Sequence, residues 1–413
     1  MLDAVMKIAI NRFFDRIART NISLFHNSWP ALQFSVFSGV LLSALLTASL
    51  ITYSPLLPSV AAAILVVGAV GFFGLTVLTK IATGKETYVC FRNSLAGLAA
   101  VLMTLWLLDQ PVLPYLDVAV LSLGTCHALW RAGCLMVGCC HGRPCRWGIC
   151  YDERHAAVGF TPYYLGVRLF PVQAVESLSV ILIVAIGAAL LLSHESPGVV
   201  TIWYLASYAT VRFCLEFMRG DPERWHVFGF SEAQWSSLFL LAAMTLLGVI
   251  AAFDGWQWLL LATAGVALTM GFVVLRRRSD GGTRYRLLHP WHVREIAQAV
   301  DTVSKWNAPG CAGSQPACGA GDVRVSHTSL GILISGSRLY SSTGPISVFA
   351  MSRCDKVMDR ETASILARLI LKLRHHAGSF ELVQRHQSVF LLLLHGTGND
   401  DAVITQPAIG VDA

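Results

Sequence analysis

Apolar residues dominate eight stretches of the chain, at 31–52, 57–78, 94–108, 112–129, 171–192, 199–217, 231–253 and 256–275, with short polar segments between them. A helix rises about 1.5 Å per residue and the hydrocarbon core of a bilayer is about 30 Å thick, so such runs predict transmembrane helices. Two stand apart: run 94–108 is short, and run 112–129 carries Asp117. Residues 1–30 follow a different period. Leu2, Met6, Ile10, Phe13 and Ile17 make an apolar stripe beside Lys7, Arg12, Arg16 and Arg19, the pattern of an amphipathic helix lying on a membrane surface. The run that follows is too long for a signal-peptide core and lacks a small-residue cleavage site, which argues against a cleaved leader.

The pattern changes again at residue 284. Pro290 opens a helix with Val293, Ile296, Val300 and Val303 on one face, followed by a loop containing Cys311 and Cys318. Strands are expected near 330–335 and 346–351, then a helix capped by Asp359 and stopped by Gly378, then strands near 380–384 and 389–395. No phosphate-binding loop or catalytic triad stands out there. The expected fold is an all-α polytopic membrane protein of about seven or eight transmembrane helices with a small C-terminal α+β soluble domain, divided as 1–30, 31–278 and 284–413.

Composition agrees: 54% of residues are hydrophobic and 14% charged, where a soluble domain would be about 25% charged. The net charge of +6 does not point to nucleic acid, because the basic residues sit in short segments between apolar runs. One set of connections holds the basic N-terminus, Lys80, Lys85 and Arg92, the segment from Arg131 to Arg168, Arg219 and Arg224, and finally Arg276, Arg277 and Arg278. The other set, around Ser54, Asp109, Glu195 and Asp254, has no Lys or Arg. By the positive-inside rule, both termini and the long hinge after Arg131 are cytoplasmic.

Chemistry concentrates in two places. Residues 131–151, RAGCLMVGCCHGRPCRWGICY, pack four glycines, five cysteines, His141 and three arginines between apolar runs. Cys134, Cys139, Cys140, Cys145 and Cys150 would suit zinc or an iron–sulfur centre by number, yet they contain no C-x-x-C pair, and adjacent Cys139 and Cys140 fit a tetrahedral site poorly. Disulfides and plain packing of small buried thiols are the alternatives. The second place is YATVRFCLEFMRGD, 208–221, where Tyr208, Arg212, Glu216 and Arg219 share one helical face. An arginine at bilayer depth costs roughly 2.5–3.5 kcal/mol on insertion scales, so such residues usually face the bundle interior and carry function. The bland alternative is an arginine snorkelling from a helix end.

The run R-x-G-C-x-x-x-G-C-C-x-G-x-P resembles a variant of the signature of the prolipoprotein diacylglyceryl transferase family. FPVQAVESL at 170–178, YATVRFCLEFMRGD, and SEAQWSSL at 231–238 resemble three further family motifs in the same order, so the likeness runs from Arg131 to about residue 253. The resemblance implies transfer of a diacylglyceryl group from phosphatidylglycerol to the thiol of a lipoprotein precursor bearing a lipobox cysteine, in the bacterial inner membrane, without metal, cofactor or nucleic acid. It implies catalytic roles for Arg131 and Arg212, with His141 or His127 as thiol base. It implies substrate contacts for Gly133, Cys134, Gly142, Gln173, Glu176, Tyr208, Glu216 and Arg219. Three departures accompany it. The histidine of the family's FHGG segment is missing from FRNSLAG at 91–97, Cys134 replaces an asparagine, and the eighth run and the tail exceed a seven-helix pattern. A non-catalytic anionic-lipid-binding or sensory protein is one alternative, and a metal or redox protein built on the hinge cysteines is another. The family's signature arginine faces the periplasm, against the charge bias. Holding the tail cytoplasmic and the hinge toward the outer leaflet requires an odd number of crossings after Arg131, with one later run re-entrant.

Overall fold

The computed structural model describes residues 2–24, 27–84, 90–221, 226–250, 255–279, 282–304, 325–341, 344–374, 379–386 and 388–395. The amphipathic N-terminus is α1 (Leu2–Ile17), followed by a hairpin of β1 (Asn21–Leu24) and β2 (Asn27–Pro30). Four apolar runs then form α2 (Ala31–Ile51), α3 (Pro58–Thr83), α4 (Cys90–Leu107) and α5 (Val112–Val137). The hinge holds β3 (Pro144–Ile149), the short α6 (Glu153–Ala157) and a 3-10 turn at Pro162–Tyr164. The other four runs are α7 (Val172–Leu192), α8 (Val199–Glu216), α9 (Glu232–Ile250) and α10 (Trp256–Ser279), with the small pair β4 (His226–Val227) and β5 (Phe230–Ser231) between α8 and α9. Six of these helices, α2, α3, α5, α7, α9 and α10, are long and apolar enough to cross a membrane, and the protein is a polytopic membrane protein.

In lipid, helices gain little from hiding apolar surface against each other, so close backbone approach drives their association. That rule explains the first seam. α2 buries Ala31, Ser35, Gly39, Ser43 and Thr47, one every fourth residue. A Cβ on Gly39 would stand 3.1 Å from the Cys126 carbonyl oxygen, and one on Gly133 would stand 2.8 Å from Ser35 Cβ. Thr47 and Ser122 join hydroxyls across the same seam. On its other sides α5 meets α7 and α8, where Gly124 makes room for Val184 and Tyr204, each 2.6 Å from where its Cβ would be. α5 is thus the helix around which its neighbours pack.

Asp117, the acid inside run 112–129, has a structural use. Its Oδ2 accepts from the Gly198 N–H at 2.7 Å, and its Oδ1 accepts from the Thr201 N–H at 2.8 Å and the Thr201 hydroxyl at 2.6 Å. The first turn of α8 has donors that no helical carbonyl reaches, and a carboxylate from α5 satisfies them. α5 also runs further than its apolar stretch predicts. It ends only at Gly138, whose φ of 90° lets its N–H return to the Cys134 carbonyl. Arg131, Gly133 and Cys134 are therefore helical, which corrects their expected place in a loop.

The tail comprises α11 (Thr283–Leu287), α12 (Pro290–Ser304), β6 (Val325–His327), β7 (Ile332–Ser341), β8 (Gly344–Arg353), α13 (Arg360–Leu373), β9 (Phe380–His386) and β10 (Val389–His395). Its strands form one antiparallel sheet in the order β6-β7-β8-β10-β9. Val293, Ile296 and Val300 of α12 and Leu366 and Ile370 of α13 share a core with Ile334, Phe349, Met351 and Leu392 of the sheet. Asp359 caps α13 as expected, accepting from the Thr362 N–H at 2.6 Å. Cys311, Cys318 and Gly378 lie outside the described residues.

The tail core does not stop at the tail. Leu135, Ile149, Tyr151, Phe160, Tyr164 and Leu169 of the α5 end and the hinge belong to the same cluster of buried residues. The Arg294 guanidinium sits 5.7 Å from the Tyr163 ring centroid. α1 is tied to the same place: Asn11 accepts from the Gly148 N–H at 2.9 Å, and Asp15 takes both Arg168 terminal nitrogens at 2.7 and 2.9 Å. N-terminal helix, hinge and tail therefore occupy one end of the bundle, and α7 to α10 return the chain to it. This corrects the expectation that hinge and tail lie on opposite sides of the membrane.

Two outcomes follow. A reporter fused after Ser279 and labelling of Cys145 by an impermeant maleimide, read by peptide mass spectrometry, will report the same side of the membrane; opposite sides would contradict the packing. Asp117→Ala will cost about 1–3 kcal/mol of stability by leaving buried donors without an acceptor, seen as a lower Tm in detergent.

Candidate functional site

The site is built where α5, α7 and the end of α8 converge, and a carboxylate holds it. Glu176 lies in the second turn of α7 with its side chain wholly buried. Its Oε1 accepts from the Tyr208 hydroxyl at 3.0 Å. Its Oε2 lies 3.0 Å from Arg131 Nε and 3.8 Å from Arg219 Nη1. His127 Nε2 stands 3.8 Å from Oε1, with its ring edge-on to Tyr208 at 5.1 Å. A buried charge must be compensated or it is lost as a charge; here one acid draws together arginines from two separate segments.

Arg212 extends the cluster along α8. Its Nη2 is 3.1 Å from Glu216 Oε2 one turn on, and among the described residues its buried Nη1 has no hydrogen-bond partner. Arg219, just past α8, makes a two-point contact with Asp221 at 3.0 and 3.3 Å. Burial, the largest influence, opposes the Arg219 charge, but Asp221, Cys140 and Glu176 together outweigh it and raise the pKa above the ordinary arginine value. Gln173, one turn before Glu176, donates to the Cys139 carbonyl at 2.8 Å, and its buried Oε1 has no partner among the described residues. The face predicted by periodicity holds for Tyr208, Arg212 and Glu216; Arg219 lies beyond the end of α8 and reaches Glu176 from a β-bridge with Gly142, which corrects its expected place on the helix.

The glycines hold the backbone in place. Gly142 pairs with Arg219 in an antiparallel bridge, flanked by Arg143 N–H to the Met218 carbonyl at 3.0 Å and Gly220 N–H to the His141 carbonyl at 3.0 Å. A Cβ on Gly142 would lie 2.2 Å from the Phe170 carbonyl oxygen, and one on Gly220 would lie 2.5 Å from the Gly142 carbonyl. Three chain segments pass too close for any side chain. Gly133 acts elsewhere, at the α2 seam.

His141 is not in the cluster. Its ring is buried against Tyr164 and Phe160, with centroids 5.1 and 5.9 Å away, and Nδ1 is 2.9 Å from the Gly142 carbonyl. Burial lowers its pKa and keeps it neutral. His127 is the histidine that faces Glu176, and its Nε2 has no hydrogen-bond partner among the described residues. Spacing alone did not separate the two, because neither lies in the family's FHGG position. Asp221 also emerges as a partner that only geometry reveals.

The thiols form a trio. Cys134 is buried, and the Cys139 thiol points at its carbonyl oxygen at 3.9 Å. Hydrogen bonds from Cys134 and Cys139, with Arg219 and Arg131 nearby, make Cys140 the acidic member, well below an ordinary thiol. Among the described residues no three His, Cys, Asp or Glu side chains converge as metal ligands. SEAQWSSL, the fourth motif, is a helix start: Ser231 and Gln234 exchange backbone and side-chain bonds at 3.1 and 3.3 Å, a capping box opening α9.

The family model "Prolipoprotein diacylglyceryl transferase" matches residues 93–250. Proteins named phosphatidylglycerol–prolipoprotein diacylglyceryl transferase are similar to part of this chain. That of Clostridium tetani is 29% identical over 154 residues, 37% of this chain and 60% of its own length. A second such enzyme of Clostridium perfringens is 33% identical over 33% of this chain and 51% of its own. One from Dehalococcoides mccartyi is 30% identical over 31% and 47%. The matched region spans about half the length of these curated relatives.

Gly142→Ala will force the hinge away from residue 170 and destabilise the protein by about 1–3 kcal/mol, since overpacking against backbone has no flexible atom to move. A lower Tm with faster tryptic cleavage after Arg146 is the expected readout; an unchanged Tm would refute the steric role.

Proposed function

Residues 93–250 belong to the prolipoprotein diacylglyceryl transferase family, and from that premise we propose that this chain moves a diacylglyceryl group from phosphatidylglycerol to the cysteine thiol of a lipoprotein precursor with a lipobox, in the bacterial inner membrane. In this reading residues 1–30 rest on the membrane surface, 31–278 are the transferase unit and 284–413 a soluble domain beside its hinge. The observation that carries it is the pair of arginines, Arg131 and Arg212, on facing helices in a buried cluster, with Arg212 Nη1 left unbonded among the described residues.

The chemistry asks for such a pair. The precursor sulfur attacks the glyceryl carbon bonded to phosphate; a C–S bond forms, the C–O bond breaks, and glycerol phosphate leaves with the electron pair on oxygen. Guanidiniums bind phosphate through paired N–H donors and stabilise the charge growing on the leaving oxygen. The thiol, with a free pKa of about 8.5, must lose its proton. His127 is the base in this reading, with Glu176 beside it to stabilise the imidazolium. Glu176, Tyr208 and Glu216 position the arginines, Gln173 and Gly142 hold the hinge, and Arg219 locks it to Asp221.

The test is transfer of labelled diacylglycerol from phosphatidylglycerol to a lipobox peptide by purified protein. Arg131→Ala and Arg212→Ala will each lower the rate by about 10²-fold or more, the size expected for losing one preorganised donor, with membrane insertion intact. His127→Gln will lower kcat by about 10²- to 10⁴-fold and abolish the low-pH limb of the profile. Wild-type rates in both arginine variants would overturn the phosphate clamp; lipid binding without transfer in the wild type would assign the fold to lipid recognition alone.

A further inference from the structure

Between the hinge and the tail lies a cavity of about 110 Å³, several times the roughly 10–15 Å³ that one water needs on the same kind of measure. Two cations enter its wall from different parts of the chain: Arg143 from the hinge and Lys372 from the end of α13. The rest of the lining is apolar or backbone, and it contains no carboxylate. Like charges converging on a half-closed, weakly polar space repel each other unless an anion lies between them.

Neither cation is fully used. Arg143 donates through Nε to the Arg219 carbonyl at 3.1 Å, which fixes the guanidinium, and its two terminal nitrogens make no hydrogen bond among the described residues. Lys372 is half-buried and makes no ion pair among the described residues. Pro290 and Val293, in the first turn of α12, form another part of the wall, which adds the positive end of a helix. One further cation stands near Arg143: Arg277, whose guanidinium lies 4.0 Å from the Tyr285 ring. Two acids next to this region are already engaged, Asp221 with Arg219 and Glu216 with Arg212.

We propose that this cavity is a binding site for a small phosphate-bearing anion, gripped by Arg143 from the membrane unit and Lys372 from the tail. Pro144, Leu288 and Leu369 accommodate a short carbon skeleton beside the phosphate. The anion bridges two parts of the chain, so its occupancy strengthens the docking of tail on hinge. The site stands without the transferase reading; that the leaving group of the transfer, a glycerol phosphate, is its natural occupant rests on that reading.

The experiment is calorimetric titration of the full chain in phosphatidylcholine nanodiscs with inorganic phosphate and with sn-glycerol 1-phosphate. Lys372→Gln will weaken glycerol phosphate binding about tenfold, and Lys372→Arg will restore it. Binding lost in Arg212→Ala but kept in Lys372→Gln would place the anion in the transferase cluster and overturn the proposal, as would absence of binding to the wild type. Repeating the titration in phosphatidylglycerol nanodiscs separates the sources. Competition relieved by Lys372→Gln identifies a lipid headgroup as occupant, and unchanged affinity identifies a soluble phosphate; either supports the site. Because the readout is binding, failure of the transfer assay leaves this test intact.

Discussion

One buried carboxylate organises the membrane half of this protein. Glu176 has no exposure to solvent, so its charge exists only because Arg131, Arg219 and the Tyr208 hydroxyl surround it. Taking either partner of such a pair out of water costs several kcal/mol before any attraction is counted. The arrangement is therefore weak evidence for stability and better evidence for specificity. It sets the rotation of α5, α7 and α8 about their own axes, because only one setting brings the side chains of Arg131, Glu176 and Tyr208 to the same point.

The small residues make that setting reachable. Gly124 and Gly187 let Tyr204, Val184 and Leu121 close the seams between α5, α7 and α8 at distances that any Cβ would block. At the end of the bundle Gly142 and Gly220 do the same for backbone, so that residues 141–143 lie between residues 218–220 and residue 170. Packing and electrostatics are coupled here: a hinge held a few tenths of an ångström further out would carry the Cys139 carbonyl away from Gln173 and the Arg219 carbonyl away from Arg143. The site is rigid because its supports are main chain.

The tail belongs to this construction. Its core continues into the hinge through Tyr151, Phe160, Tyr164 and Leu169, while α1 braces the hinge from the other side through Asn11 and Asp15. A hinge that carries the thiol trio and Gly142 is thus clamped between an N-terminal helix and a C-terminal sheet domain. Events at the tail have a short physical route to the cluster, since Arg143 touches the tail cavity with one end and the Arg219 carbonyl with the other.

What the sequence by itself determined is what depends on neighbours along the chain. The eight apolar runs, the amphipathic α1, the Asp359 cap and the period that puts Tyr208, Arg212 and Glu216 on one face are all local; each run forms a helix, though α4 and α8 fall short of the length and apolarity of a span. The residues carrying the resemblance also lay in plain view, because spacing within a motif survives divergence of everything around it. What only the tertiary structure decided involves separations no period encodes. It chose His127 over His141 as the histidine facing Glu176, extended α5 through Arg131 to Gly138, paired Asp221 with Arg219 and Asp117 with the start of α8, and brought hinge and tail to the same end. Burial and ion pairing between helices depend on crossing angles and rotations about helix axes, and those follow from how the small residues of several segments fit together at once.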